Sequence, residues 1–248
     1  MSGHSKWSTI KRQKGAADAK RGQLFTKLAR EITVAARSGL PDPESNPRLR
    51  LAVQRAKSAS MPKDNIDRAI ERGSGETGGE NYDELFYEGY GPGGTALMIY
   101  ALTDNRNRTV GEVRAVLTRA GGTLGESGSV GWMFDQVGQI IVEADGDRAD
   151  ELTMTAIDAG AADVIAIEGI VEIYTGASDL HRVQESISGA GYEIENAELI
   201  MRPKTLVDLE IDVATKFLRL VDKLEDLDDV QTVYYNLEVS DDLMAEVG

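Results

Sequence analysis

The amino-acid sequence predicts an α+β protein in which an N-terminal three-helix domain precedes two α/β domains, one inserted in the other. Apolar residues recur at helical spacings up to about residue 73. Beyond a glycine-rich stretch, short apolar segments with strand character alternate with helical patterns. At 248 residues the chain is long enough for more than one domain, each with its own core.

The N-terminal domain, residues 1–75, is predicted to hold a basic arm followed by three amphipathic helices. The first helix runs through KRGQLFTKLAREITVAARSG and ends at Gly39, which precedes two prolines. The second has Asn46 as its N-cap and Pro47 at its first position, and the third runs through PKDNIDRAIERG to Gly73. The apolar face of the first helix is predicted to comprise Leu24, Phe25, Leu28, Ile32 and Ala35.

The remaining chain is predicted to form two ferredoxin-like α/β domains after the linker GSGETGGENY. Residues 136–203 contain the order strand–helix–strand–strand–helix–strand, which is that of a ferredoxin-like domain. Residues 76–135 and 204–248 lack a complete set of elements separately, so we expect them to form one middle domain into which 136–203 is inserted. A separate strand is expected in GSVGWMFD, residues 128–135, and a tight turn between strands in GYGPGG.

Composition argues against most catalytic chemistry. The chain has no Cys and two His, so thiolate catalysis, disulfides and Cys-ligated metals are excluded. GYGPGG matches G-x-G-x-x-G, but a strand rather than a helix follows it, which argues against a dinucleotide site. We therefore predict a protein that is not an enzyme, with no catalytic residue, metal or cofactor. No apolar run reaches membrane-spanning length, and we expect a cytoplasmic protein without membrane contact.

Charge is divided along the chain. The net charge is −15, yet residues 1–72 carry sixteen Lys or Arg against seven acids, while residues 73–248 carry eleven against thirty-five. Such asymmetry is typical of a protein that binds a polyanion at one end. Residues 1–37, with nine basic residues and two acids, favour nucleic-acid binding, whereas the mixed charges of 48–72 favour a solvated helical surface.

A nucleic-acid-binding surface is therefore predicted from the cations of the arm and first helix, one aromatic residue and two later arginines. Trp7 either stacks on an unpaired base or anchors the arm on the protein. Arg106 and Arg108 lie at a predicted helix start, where they either hold a phosphate or pair with neighbouring acids. The predicted residues are Lys6, Trp7, Lys11, Arg12, Lys14, Lys20, Arg21, Lys27, Arg30, Arg37, Arg106 and Arg108.

Several segments resemble the YebC/PmpR family, which includes the mitochondrial translational activator of cytochrome oxidase subunit I. They are GHSKWSTIKRQKGAADAKRGQLFTKLAREI, NPRLRLAVQRAKSASMPKDNIDRAIERG, YEGYGPGGTALMI, LTDNRNRTVGEVR and LEDLDDVQTVYYN. The resemblance implies a helical domain and two α/β domains, one inserted in the other, with a non-enzymatic role in gene expression. Bacterial members carry the label of probable DNA-binding transcriptional regulators, while the family is also connected with translation and stalled ribosomes.

Two nucleic-acid targets and one further function remain open at this level. A helix that recognises duplex DNA needs side chains that bind base edges, and helix 20–38 offers Gln23 and little else. Binding to ribosomal RNA requires only phosphate contacts, shape and stacking. DNA-binding transcription regulation and RNA-binding, ribosome-associated translation regulation are therefore both retained. A protein–protein adaptor, whose acidic domains bind a basic partner, is the third alternative. A monomer is compatible with the sequence, which leaves the oligomeric state open.

Overall fold

The computed structural model describes residues 18–75, 81–167 and 169–247. Within these residues the chain divides into two compact units, one of residues 32–75 and 136–201, the other of residues 18–31, 81–135 and 202–247. Two of the division points, 135/136 and 201/202, lie close to the predicted ends of the insertion. The division into three domains stays a prediction.

The described residues form eight α-helices and eight strands. The helices are α1 (Asp18–Arg37), α2 (Pro47–Ser58), α3 (Lys63–Ser74), α4 (Arg106–Arg119), α5 (Gly146–Asp158), α6 (Leu180–Gly189), α7 (Ile211–Glu225) and α8 (Asp241–Val247). The strands are β1 (Asp83–Tyr90), β2 (Ala96–Thr103), β3 (Thr123–Leu124), β4 (Phe134–Glu143), β5 (Asp163–Ile167), β6 (Ile170–Gly176), β7 (Ile194–Pro203) and β8 (Val230–Tyr235). The architecture is α+β, as predicted.

In the first unit, α2 and α3 pack with the last turns of α1. The predicted N-cap is confirmed: Asn46 Oδ1 accepts from the Leu49 N–H at 3.1 Å, while its Nδ2 donates to the Ala35 carbonyl at 2.8 Å. Gly73 allows α3 to approach α1 closely, because a Cβ there would lie 2.5 Å from the Thr33 carbonyl oxygen. The buried faces contain Ile32, Ala35, Ala36, Leu49, Ala52, Val53, Ala56, Ile66 and Ala69.

The inserted sheet has the strand order β5-β6-β4-β7, with β4 antiparallel to β6 from Val137↔Gly176 to Glu143↔Ile170. This order, with α5 and α6 joining the strands, is the ferredoxin-like arrangement that the element order predicts. The two helices and one sheet face share an apolar core that includes Ile140, Ile173, Leu152 and Val183. Helices α5 and α6 therefore cover one face of this sheet.

The middle sheet has the strand order β3-β1-β2-β8, with antiparallel neighbours throughout. Helices α4, α7 and α8 contribute to the core against one of its faces, and Phe217 of α7 meets Tyr235 of β8 edge-on at 5.3 Å between ring centroids. The predicted turn in GYGPGG is confirmed between β1 and β2. Gly93 and Gly94 have φ of 74° and 76°, a region that glycine enters without steric cost.

The prediction of a separate strand in residues 128–135 is wrong. Gly131–Met133 form a 3₁₀ turn, and only the last two residues are extended, as the start of β4. The reason is Glu88, which is 8% exposed and accepts the N–H groups of Gly128, Val130 and Gly131 at 2.7–2.8 Å. These donors converge on one carboxylate, so they are withdrawn from a strand ladder.

Candidate nucleic-acid interface

The structure distributes the predicted site residues among different environments. Five of them, Lys6, Trp7, Lys11, Arg12 and Lys14, lie outside the described residues. Lys20 belongs to the first turn of α1, and Arg21 and Arg37 of the same helix are exposed. The other four, Lys27, Arg30, Arg106 and Arg108, have side chains that contact acidic or carbonyl groups of the same chain.

The first turns of α1 contact the end of α7. Gln23 and Lys27, one turn apart, donate to the carbonyl oxygens of Asp226 and Glu225, the former at 2.7 Å. Arg30 donates to the Asp228 carbonyl and lies 5.5 Å from the centre of the Tyr82 ring. The last carbonyls of a helix lack intrahelical partners and carry its negative dipole end, so Gln23 and Lys27 stabilise the end of α7. Leu24, on the predicted apolar face of this helix, is 43% exposed.

Asp229 is the acidic residue on which Arg30 and Arg108 converge. Its side chain is 2% exposed and accepts from Arg30 at 3.1 Å and Arg108 at 2.7 Å. The hydroxyls of Thr103 and Thr109 donate to the same carboxylate at 3.1 and 2.7 Å. Burial acts to raise the pKa of Asp229, but the hydrogen bonds from Arg108 and the two threonines outweigh it, so the pKa lies below its usual value.

The arginines at the start of α4 have the geometry of paired side chains. Arg106 binds Asp83 through two parallel bonds, Nε to Oδ2 at 2.7 Å and Nη2 to Oδ1 at 2.8 Å. Arg108 donates also to Asp104 at 2.6 Å. Asn105 is the N-cap, accepting from the Arg108 N–H at 3.1 Å. Of the two alternatives for this helix start, pairing with neighbouring acids is the one that the structure shows.

Sequence reasoning missed Asp229. The four acids of LEDLDDV are typical of a solvated turn, and the neighbouring Asp226 and Asp228 are indeed exposed. The signal that distinguishes Asp229 is its position directly before Val230, the first residue of the apolar strand β8. A carboxylate that enters a buried strand needs a cation or several hydrogen-bond donors.

Neither a metal centre nor a transmembrane helix is present among the described residues. Residues 18–75, 81–167 and 169–247 contain no group of three or more His, Cys, Asp or Glu side chains placed to hold a metal ion. No helix in these ranges combines the length and the apolar content that a transmembrane span needs.

Comparison with known proteins identifies relatives over nearly the whole chain. A family model described as the TACO1/YebC protein N-terminal domain matches residues 5–76, and one described as the TACO1/YebC second and third domain matches residues 82–237. A probable transcriptional regulatory protein of Pelotomaculum thermopropionicum is 57% identical, covering 97% of this chain and all of the relative. One of Geobacter sulfurreducens is 52% identical over the full length of both chains.

A solved structure has the same fold. The crystal structure of a conserved hypothetical protein from Aquifex aeolicus superposes with a TM-score of 0.84 at 48% identity, covering 90% of this chain and 93% of that one. Sequence and structural likeness thus extend through the helical segment and both sheets. The chain belongs to the TACO1/YebC family.

Proposed function

We propose that the protein is a non-enzymatic regulator of gene expression that binds nucleic acid through the cations at its N-terminal end. The observation that carries the proposal is the division of charge, with an excess of nine cations in residues 1–72 and of twenty-four acids afterwards. An acidic body repels a polyanion, so binding is confined and oriented to the basic end. The naming of its relatives as probable transcriptional regulatory proteins supports a role in transcription.

Phosphate contacts and shape, rather than base reading by α1, are the proposed mode of recognition. A recognition helix presents free Arg, Asn or Gln side chains to base edges. On α1, Gln23 donates to the Asp226 carbonyl and Arg30 is bound to Asp229, so both donors are already used. This observation favours the second candidate function, in which the target is ribosomal RNA and the protein acts on translation, because irregular RNA is bound through its backbone and unstacked bases.

The proposed contacts come from the predicted site residues other than Lys27, Arg30, Arg106 and Arg108. These are Lys6, Lys11, Arg12, Lys14, Lys20, Arg21 and Arg37, with Trp7 as a stacking residue. For Lys27, Arg30, Arg106 and Arg108, the intramolecular contacts support a structural role. A phosphate would reach Arg108, for example, only in competition with Asp104 and Asp229.

The proposal is tested by neutralising the arm with a charge-matched control. The arm set is Lys6→Gln, Lys11→Gln and Lys14→Gln, and the control set is Lys57→Gln, Lys63→Gln and Arg72→Gln, three exposed residues of α2 and α3. Binding of labelled single-stranded RNA and duplex DNA of mixed sequence is measured by fluorescence anisotropy at several KCl concentrations. Each lost phosphate contact lowers the slope of log K against log salt by about 0.7 for single strands and 0.9 for duplex DNA, so the arm set should lower it by about 2 to 3.

The outcomes distinguish the candidate functions. Equal slopes for the arm set, the control set and the wild type would refute the arm as the binding surface. Absence of salt-sensitive binding to either probe would favour the adaptor function. Crosslinking in cells, followed by sequencing of the nucleic acid that co-purifies, separates the two targets: ribosomal RNA supports translation, and promoter DNA supports transcription.

A further inference from the structure

The cations of the acidic part of the chain are unevenly paired. Of the eleven Lys and Arg after residue 73, six have an interaction within the chain: Arg106, Arg108, Arg182 and Lys204 are in ion pairs, Arg148 lies over a tyrosine ring, and Arg202 has a partner as well. The other five are exposed, and their side chains make no ion pair or hydrogen bond with a described residue. They are Arg114, Arg119, Lys216, Arg219 and Lys223.

All five of these cations lie on α4 and α7, two of the three helices that pack against the middle sheet. The segment has thirty-five acids, so a cation in it commonly has a carboxylate within reach, and four of the six residues form an ion pair. The same helices also carry acids, such as Glu112 and Asp212, but none of the five cations is bound to a carboxylate of a described residue, so their charges are available to an external anion. Clustered Lys and Arg along helices are the electrostatic footprint of nucleic-acid binding.

The three cations of α7 form a stripe that the fold holds rigidly. Lys216, Arg219 and Lys223 are separated by three and four residues, so they lie within an arc of about 60° and span about 10 Å along the helix. The opposite face of α7 is fully packed, with Phe217, Leu220, Val221 and Leu224 all at most 1% exposed. Two acids, Asp212 and Asp226, lie at the ends of the stripe one turn beyond the outer lysines.

The surface is continuous with the contacts of α1. Arg119 of α4 and Lys223 of α7 line one cavity of about 280 Å³, together with Val116, Ala120 and Asp226. The carbonyl of Asp226 accepts from Gln23, and the adjacent Glu225 carbonyl accepts from Lys27, so the first turns of α1 end beside this cavity. The exposed cations of α4 and α7 thus adjoin the helix that carries Lys20 and Arg21.

We propose that the outer surface of α4 and α7 contacts the phosphate backbone of the nucleic acid that the N-terminal cations bind. The inference rests on the proposed function and extends its site by Arg114, Arg119, Lys216, Arg219 and Lys223. The occupant is a nucleic-acid backbone because it is a polyanion and because the surface adjoins α1. Sequence reading is not expected here, since phosphate contacts position a protein without specifying bases.

The test uses a third charge-matched set, Lys216→Gln, Arg219→Gln and Lys223→Gln, measured with the same RNA and DNA probes and the same control set. The variants keep the buried face of α7, and equal melting temperatures confirm that they fold. We expect the salt slope to fall by about 2 for RNA and about 3 for duplex DNA relative to the wild type. The control set, which loses the same charge, should leave the slope unchanged.

Failure of this inference is distinguishable from failure of the proposed function. If the arm set lowers the slope while the α7 set behaves like the control set, the inference is wrong and the proposed function stands. If the wild type binds neither probe, both are wrong. A third outcome would indicate that the surface binds an acidic protein. If the α7 set weakens binding of poly-L-glutamate but leaves binding of both nucleic acids unchanged, the surface binds polypeptide and the inference is wrong.

Discussion

Replacing Asp229 by Asn is expected to destabilise the second unit strongly. The substitution keeps the shape of the side chain but removes its charge, and the new amide presents N–H donors where four donor groups now converge. Arg30, Arg108 and the threonine hydroxyls cannot all be satisfied by one amide oxygen. Because Asp229 is 2% exposed, water cannot replace the lost acceptor without opening the structure.

The magnitude follows from the interactions that the amide weakens. Thr103, Thr109 and Arg108 all bind Oδ2 of Asp229, so an Asn oxygen at that position keeps an acceptor for them, and the amide nitrogen then faces Arg30 at the former Oδ1 position. Breaking a buried ion pair by removing one partner costs about 3–5 kcal/mol, and the partial exposure of Arg108 places the expected loss at the lower end, about 3 kcal/mol. A loss of about 3 kcal/mol corresponds to a fall in melting temperature of about 6–12 °C for a chain of this length.

The assay is differential scanning calorimetry at several pH values, with Asp228→Asn as the matched control. Asp228 is the preceding residue and is exposed, so its neutralisation should change the melting temperature little. The folded pKa of Asp229 lies below the unfolded one, so its carboxylate stabilises the fold above the unfolded pKa and ceases to do so as pH falls through the folded value. The difference in melting temperature between wild type and D229N should therefore be largest near pH 7 and decrease below about pH 4.

Equal melting temperatures for D229N and D228N at pH 7 would refute this reasoning. The reasoning would also be refuted if the difference in melting temperature between wild type and D229N increased as the pH is lowered, because the lowered pKa of Asp229 requires this difference to decrease.

Two further substitutions test local features of each unit. Glu88→Gln should speed hydrogen exchange of the loop N–H groups that donate to Glu88 by about tenfold or more, because these three groups lose a charged acceptor. The exchange is measured by mass spectrometry, with Glu84→Gln on the same strand as the control that should leave it unchanged. Unchanged exchange in both variants would contradict the role of Glu88. Gly73→Ala should lower the free energy of unfolding in urea by about 1–3 kcal/mol, since the new Cβ would lie 2.5 Å from a backbone oxygen. Gly111→Ala in α4, where the Cβ would meet open space, should raise the free energy of unfolding by about 0.5–1 kcal/mol. A G73A protein as stable as the wild type would argue against the close packing of α3 on α1.

Local patterns predicted most of the secondary structure. The N-cap Asn46 and the turn at Gly93 and Gly94 follow from interactions within about four residues, which one stretch of sequence contains completely. The ferredoxin-like order of residues 136–203 likewise follows from alternating strand and helix patterns. The exception was GSVGWMFD, whose apolar residues resemble a strand but whose amides are held by Glu88, forty or more residues away.

The candidate site was predictable in part. The excess of cations in residues 1–72 is a property of composition, and composition alone is enough to indicate a polyanionic partner. Which cations are already paired depends on contacts across long separations: 199 residues between Arg30 and Asp229, and 121 between Arg108 and Asp229. The same holds for the unpaired cations, since α4 and α7 are nearly a hundred residues apart in the chain.

By itself the sequence determined the elements of this protein, the segregation of its charge and its family resemblance, because these depend on neighbouring residues and on composition. Only the tertiary structure decided which carboxylate each arginine meets, that Asp229 is buried, and that the unpaired cations of the acidic segment share α4 and α7. The physical reason is that pairing and burial are set by the folded contacts of distant segments, about which local spacing carries no information.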